Sequence, residues 1–301
     1  MKRLWIGLLL GLCGCQASLP PLPPLPPLPQ WQGSERLDHP ELGVILELRS
    51  GRQLRAAELV NELAGAPRVL IGEQHDNPDH HALQLWLLQA LEQRRDQGSL
   101  LLEMLEPSQQ PAVTRTRQQL AAGSEPASLA ESLAWQEGWP WALYGDLVGH
   151  AVRKGYPLLA ANLDRQEVMG IFRSPPPLSG RASNQSTVHQ RLIEQLRESH
   201  CGMLGDDRLP GMLAVQLQRD RRMAEVLLQA PQPALLLAGN FHVRRDLGVP
   251  LHLQDLERDA QEKVVLLIPA GQPVDAHMAD YVWFTAAPPE QDYCARFRQR
   301  G

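Results

Sequence analysis

The sequence predicts an α/β domain, with a mainly parallel sheet flanked by helices on both faces and a smaller helical lobe. Two matching segments carry much of that expectation. Arg68-Val-Leu-Ile-Gly-Glu-Gln-His75 and Leu235-Leu-Leu-Ala-Gly-Asn-Phe-His242 each run through unbroken apolar residues into Gly-x-x-His. Buried parallel strands are continuous apolar runs of this kind rather than alternating ones. Further runs at Leu100 to Glu103, Pro157 to Asn162, Val264 to Pro269 and Tyr281 to Phe284 are separated mostly by segments with helical spacing, the order that winds a parallel sheet with helices on its faces. About 260 residues remain after the N-terminal region, enough for one such domain with its own core.

Met1-Lys-Arg3 precedes an apolar stretch, Leu4 to Leu12, and then Cys13-Gly-Cys15. A charged start followed by an apolar run too short to cross a bilayer is a secretory signal, here residues 1–14. Leu12-Cys-Gly-Cys15 resembles the bacterial lipobox, whose signal is cut before a cysteine acylated on sulfur, so Cys15 is the expected lipidated N-terminus. The alternative is an ordinary signal cut after small residues. Several acyl chains anchor stably where one does not. Gln16 in place of Asp resembles outer-membrane sorting, which makes the expectation an outer-membrane lipoprotein facing the periplasm.

Leu19 to Pro29 is an almost pure Leu-Pro-Pro repeat, and its period matches the three residues per turn of polyproline II. Residues 15–35 are therefore expected to form a stiff tether, with residues 16–30 reaching about 45 Å. Docking of a Pro-binding partner is the alternative.

Within residues 36–301, Val44 to Leu48 and Gln53 to Arg55 predict a hairpin turning at Gly51. Ala57 to Leu63 predicts a helix. After the strand Val69 to Gly72, Pro78 opens a helix to about Arg95, with Leu83, Leu87, Leu88 and Leu91 at helical spacing. Residues 107–154 read as largely helical, broken near Gly123 and Trp139-Pro140. A Pro/Ser/Gly-rich break from Ser174 leads into helices at about 188–199 and 211–229, which together define the lobe at about 174–230. The chain then returns as strands.

Loss of residues 1–14 would remove Lys2 and Arg3 and move the formal net charge from −5 to −7, which leaves no basic footprint for nucleic acid. With Cys13 cleaved off and Cys15 acylated, Cys201 and Cys294 remain. In an oxidising compartment they are a disulfide candidate, or else two buried thiols.

The strand tips bring Glu73 and His75, Glu103, Asn162, and Asn240 and His242 to the carboxyl ends of four separate strands, where ligands bind in open α/β sheets. Glu73, His75, Glu103 and His242 form a plausible nitrogen and oxygen set for a divalent metal. The same groups, with Asn162, could act as acid and base around a bound water. The bland alternative is that they cap helices and satisfy loop amides. His80 and His81 open a helix, where capping or solvent exposure is expected. His39, His150, His189, His252 and His277 have no chemical constellation around them and read as structural or surface histidines.

Leu70 to His81, Trp139 to Tyr144, Ala160 to Arg165, His200-Cys-Gly-Met203, Gln216 to Ala224 and Ala238 to Gly248 occur in that order. In these segments the chain resembles the ChaN-like haem-binding uptake lipoproteins, relatives of the Tiki, TraB and erythromycin-esterase proteins. The resemblance implies a parallel α/β sheet with a helical lobe, haem as ligand and a place in bacterial iron and haem acquisition. A haem receptor or transporter and a homodimer that shields the porphyrin are the partners it suggests. Tyr144, beside Trp135, Trp139 and Trp141, is the first candidate for the iron ligand, since a phenolate suits ferric iron; a packing tyrosine is the alternative. His200 is the second candidate. Two other classes stay open: a metal-dependent hydrolase using the strand-tip Glu/His cluster, for which no Gly-x-Ser-x-Gly or His-Glu-x-x-His signature is present, and an inactive structural lipoprotein.

Overall fold

The structure, a computed structural model, describes residues 23–292, 294 and 295. The signal, Cys15 and the first part of the Pro-rich segment lie outside the described residues. A short antiparallel pair, β1 (Ile45–Glu47) and β2 (Arg52–Leu54), leads into α1 (Ala56–Ala64). β3 (Arg68–Glu73), α2 (Pro78–Glu92), β4 (Ser99–Leu102), α3 (Gln110–Ala121), α4 (Leu129–Ser132), α5 (Trp141–Val152) and β5 (Leu158–Ala160) follow. Next come α6 (Arg165–Arg173), α7 (Ser186–Ser199), α8 (Leu209–Gln229), β6 (Ala234–Gly239), α9 (Asn240–Val243), α10 (Val249–Leu256), β7 (Lys263–Pro269) and β8 (Tyr281–Thr285).

The eight strands form one sheet in the order β2-β1-β8-β7-β3-β6-β4-β5, in which β8 to β5 are all parallel and β1 and β2 are antiparallel at one edge. The expected α/β architecture is therefore the observed one.

Each apolar run alternates its side chains between the two faces, since successive Cβ atoms of a strand point to opposite sides. Val69, Ile71, Leu100, Leu102, Leu235 and Leu237 pack with α1, α2 and α5. Leu70, Leu101, Leu236, Ala238, Val264 and Leu266 pack with α8 and α10. That parity also determines where the polar residues at the strand ends are directed. Glu73 continues the Val69/Ile71 series toward α2 and α5, whereas Glu103 continues the Leu101 series toward α8.

One expectation is refined and one needs correction. The lobe has its own small core, in which Leu209, Leu213 and Leu217 of α8 meet Val188, Leu192 and Leu196 of α7. Yet Met223, Ala224 and Leu227, later in α8, belong to the core under the sheet. The apolar stripe of α8 is continuous, so one helix serves both lobe and sheet layer.

The correction concerns the tether. Its described part packs on the domain instead of standing free. Leu25 and Trp31 pack against the core, Trp86 Nε1 donates to the Pro26 carbonyl at 2.9 Å, and Arg94 donates to that of Pro23 at 2.8 Å. The Gln32 and Gly33 amides donate to Asp79 at 2.7 and 2.9 Å. A polyproline segment has no internal hydrogen bonds, so its carbonyls are open to such donors.

Cys201 and Cys294 are joined, with a Cα–Cα separation of 5.6 Å, tying the C-terminal segment to the lobe across 93 residues of sequence. Among the described residues no helix is long and apolar enough to cross a membrane.

Candidate functional site

The carboxyl ends of β3, β4 and β6 assemble two linked groups of polar side chains. The first centres on Glu73, the last residue of β3, which is 1% exposed. Its Oε1 receives the Tyr144 hydroxyl at 2.9 Å and faces His75 Nδ1 at 2.8 Å, while Oε2 lies 3.3 Å from His81 Nε2. His75 is the one member open to solvent, with 44% of its side chain exposed. Its ring packs edge-on to Trp139 at 4.9 Å between centroids, and among the described residues none hydrogen-bonds its Nε2. Burial opposes the charged imidazolium, but the hydrogen bond to Glu73 and the charge of Glu103 outweigh it and raise the pKa of His75.

The second group centres on Glu103. Its Oε2 accepts the Gly239 amide at 2.7 Å and its Oε1 lies 3.2 Å from His242 Nε2. His242 Nδ1 is held by Asp220 of α8, with Gln216 Nε2 at 3.1 Å. Burial alone would lower the pKa of His242, yet two carboxylates flank the ring and raise it to about 10. Burial raises that of Asp220 to about 6.

Gly239 joins the two groups. It continues the Leu235/Leu237 series, so a Cβ would point at the Glu73 side, 2.9 Å from both Cε1 and Nε2 of His75. The glycine lets the imidazole lie against the end of β6.

Four of the predicted residues, Glu73, His75, Glu103 and His242, thus share one edge, as expected. Asn162 joins them indirectly by donating to the Glu103 carbonyl at 2.8 Å. Asn240 is directed away, to the Leu267 carbonyl of β7 at 2.9 Å.

His80 and His81 are buried, against the expectation of exposure or capping; Asn77 is the cap. His80 Nδ1 accepts the Gln74 amide at 2.8 Å, which leaves Nε2–H to donate to Thr285 Oγ1 at 2.9 Å. His81 Nε2–H donates to the His75 carbonyl at 3.0 Å. Together they brace the loop that carries His75. Burial, then the neighbouring His81, holds the pKa of His80 well below its ordinary value, so it is neutral.

Tyr144 is also placed differently from the expectation. Its ring is fully buried on α5, 4.3 Å from His81, and its hydroxyl is committed to Glu73. Burial and then the charge of Glu73 push its pKa far up. A phenolate is thereby disfavoured and the oxygen is not presented to a ligand. His200 ends α7 in the disulfide-bearing turn of the lobe, its Nδ1–H donating to the Leu196 carbonyl at 2.8 Å.

The divalent-metal set is not supported either. Among the described residues no group of three or more His, Cys, Asp or Glu side chains is arranged to hold an ion. Both nitrogens of His242 are taken by carboxylates, and Glu73 and Glu103 extend to opposite faces of the sheet.

Asp220 and the role of Tyr144 were missed by sequence reasoning. Asp220, Met223, Ala224 and Leu227 share one helical stripe and are all buried. A charged residue in an apolar stripe was the readable signal for Asp220. Nothing local pairs Tyr144 with Glu73.

A family profile described as "Haem-binding uptake, Tiki superfamily, ChaN" matches residues 59–253. The solved structure of ChaN from Campylobacter jejuni, described as showing cofacial haem binding, is 29% identical, with a TM-score of 0.74 over 80% of this chain and 96% of that one. A MARTX toxin effector domain from Vibrio vulnificus is 15% identical with a TM-score of 0.42, over 80% of this chain and 39% of that one. The erythromycin esterase EreC, in a mutant form, is 13% identical with a TM-score of 0.42, over 81% and 82%. No curated protein matches the chain. The profile spans well over half of the sequence, and the chain belongs to the ChaN family of haem-binding uptake proteins in the Tiki superfamily.

Proposed function

We propose that this chain is a lipid-anchored haem-binding protein of bacterial haem and iron acquisition, facing the periplasm from the outer membrane, with His75 as the iron ligand. The observation that carries the ligand assignment is the half-exposed His75 imidazole, held through Nδ1 on buried Glu73 with Nε2 free. An anionic partner on the far nitrogen fixes the ring's orientation and raises its basicity toward iron. Haem also needs apolar surface beside its ligand. Trp139 packs on the His75 ring and Phe241, 39% exposed, follows the β6 tip. Family membership supports haem as the ligand, and the lipobox-like Leu12 to Cys15 supports the anchor. A two-fold dimer shielding the porphyrin faces, with a receptor or transporter as donor or acceptor, is the assembly this reading carries.

Haem titration of the fragment from Pro23 onward, followed by visible absorption, tests it. Wild type should give a saturable ferric haem spectrum with a histidine-ligated Soret band. His75→Ala should lose that band position and weaken binding by tenfold or more. An unchanged spectrum and affinity in His75→Ala would reject the assignment.

A further inference from the structure

The packed Pro-rich segment fixes where the chain enters the domain. α2 begins at the carboxyl edge of the sheet, after β3, and runs back to the amino edge, where β4 starts; both strands are parallel to β6. The Pro-rich segment lies along α2 in the opposite direction. Pro23 meets Arg94, just past the end of α2, Pro26 meets Trp86 midway, and Gln32 and Gly33 meet Asp79 in the first turn. The run from Pro23 to Gln32 covers about 28 Å as polyproline II, and that from Asp79 to Arg94 about 22 Å as helix, so the two match in length. Glu35 then pairs with Ala287, past the end of β8.

Pro23 is therefore at the amino edge, and Glu73, His75, Glu103 and His242 are at the other. The lobe lies on their side as well. α8 passes His242 at Asp220 and runs on to Gln229, after which β6 starts at the amino edge. Its earlier residues, Leu209 to Arg219, are thus carried past the strand tips, by up to about 16 Å.

We infer that the anchored protein turns its strand-tip site and its lobe away from the membrane that holds Cys15, so that it exchanges haem with a protein whose haem-handling domain is water-soluble. The inference rests on the lipid anchor and the haem site proposed above and adds a direction to them, which narrows the partner. Cys15 precedes Pro23 by eight residues, at most about 29 Å of chain in any conformation. With the strand tips on the bilayer, Pro23 would stand at least the length of α2 above it, about 22 Å, and the lobe would lie in between. The connecting residues would then have to run back past the site almost fully stretched. With the amino edge on the bilayer no such demand arises.

The test uses the full-length lipoprotein in phospholipid vesicles doped with a nickel-chelating lipid. Nitroxide labels are placed on Gln93→Cys, exposed at the end of α2, and on Phe241→Cys, whose phenylalanine is 39% exposed at the tip of β6. Nickel at the bilayer surface should relax the label at 93 and leave that at 241 at its rate in vesicles without nickel. Haem transfer from wild type to apomyoglobin, a soluble acceptor, should run at the same rate from vesicles as from the fragment starting at Pro23. Three results would overturn the inference: equal relaxation at both labels, stronger relaxation at 241, or slower transfer from vesicles than from the fragment. The labels need no haem, so a wrong direction is distinguishable from a wrong cargo. Failure of wild type to bind haem, or to be held on vesicles through an acylated Cys15, would instead reject the reading above, and the inference with it.

Discussion

Gly239→Ala is the sharpest test of how the two polar groups meet. Alanine suits the local backbone, with φ −60° and ψ 148°, so any cost must come from the added methyl. Its carbon would lie 2.9 Å from Cε1 and Nε2 of His75 and 3.6 Å from Glu103 Oε2. Unstrained carbon contacts need roughly 3.5 Å, so the imidazole must withdraw by about half an ångström. The ring is half exposed and can move, but withdrawal pulls Nδ1 from Glu73 and presses on Trp139. Overpacking of this kind costs about 1–3 kcal/mol, and alanine returns about 0.4–1 kcal/mol by restricting the unfolded chain. A net loss of about 1 kcal/mol is expected. In a His75→Ala background the obstacle is gone, and the same glycine substitution should become neutral or slightly stabilising. Urea unfolding of the four proteins closes the double-mutant cycle. An equal cost in both backgrounds would refute the packing of His75 on β6.

Three further outcomes follow from the site and the N-terminal segment. His242 has its folded pKa raised from the ordinary 6.5 to about 10. Its stabilisation is therefore complete below about pH 6.5 and is lost as the pH rises toward 10. Urea midpoints should fall over that window in wild type, and much less in His242→Gln. Tyr144→Phe removes a buried donor to Glu73 and should destabilise by about 1–3 kcal/mol in the same assay; a changed Soret position in that variant would reinstate Tyr144 as a ligand. Cys15→Ser should move the protein from the membrane to the soluble fraction on cell fractionation, and retention with normal signal removal would count against the lipid anchor.

Much of the architecture was legible because burial leaves a local record. Continuous apolar runs marked the parallel strands, and Gly-x-x-His at the ends of two of them marked the edge where Glu73, His75 and His242 gather. The same kind of record marked His80 and Asp220, which share helical stripes with Leu83 and Leu87 and with Met223 and Leu227, although the expectation for His80 was capping or exposure and none was formed for Asp220. Sequence by itself determined which apolar runs are buried and at which end of the sheet the polar residues emerge.

Tertiary structure alone decided what each of them meets. Strand parity sends Glu73 and Glu103 to opposite faces, but only the exact strand ends make that parity usable. Tyr144 reaches Glu73 across 71 residues, and that contact turns a candidate iron ligand into a donor that holds a carboxylate. The Pro-rich segment has a repeat that reads as a free spacer, yet Trp86 and Arg94 draw its carbonyls onto α2. Burial follows from hydrophobic periodicity within one element, whereas partnership depends on which distant elements pack together. No local pattern encodes the second.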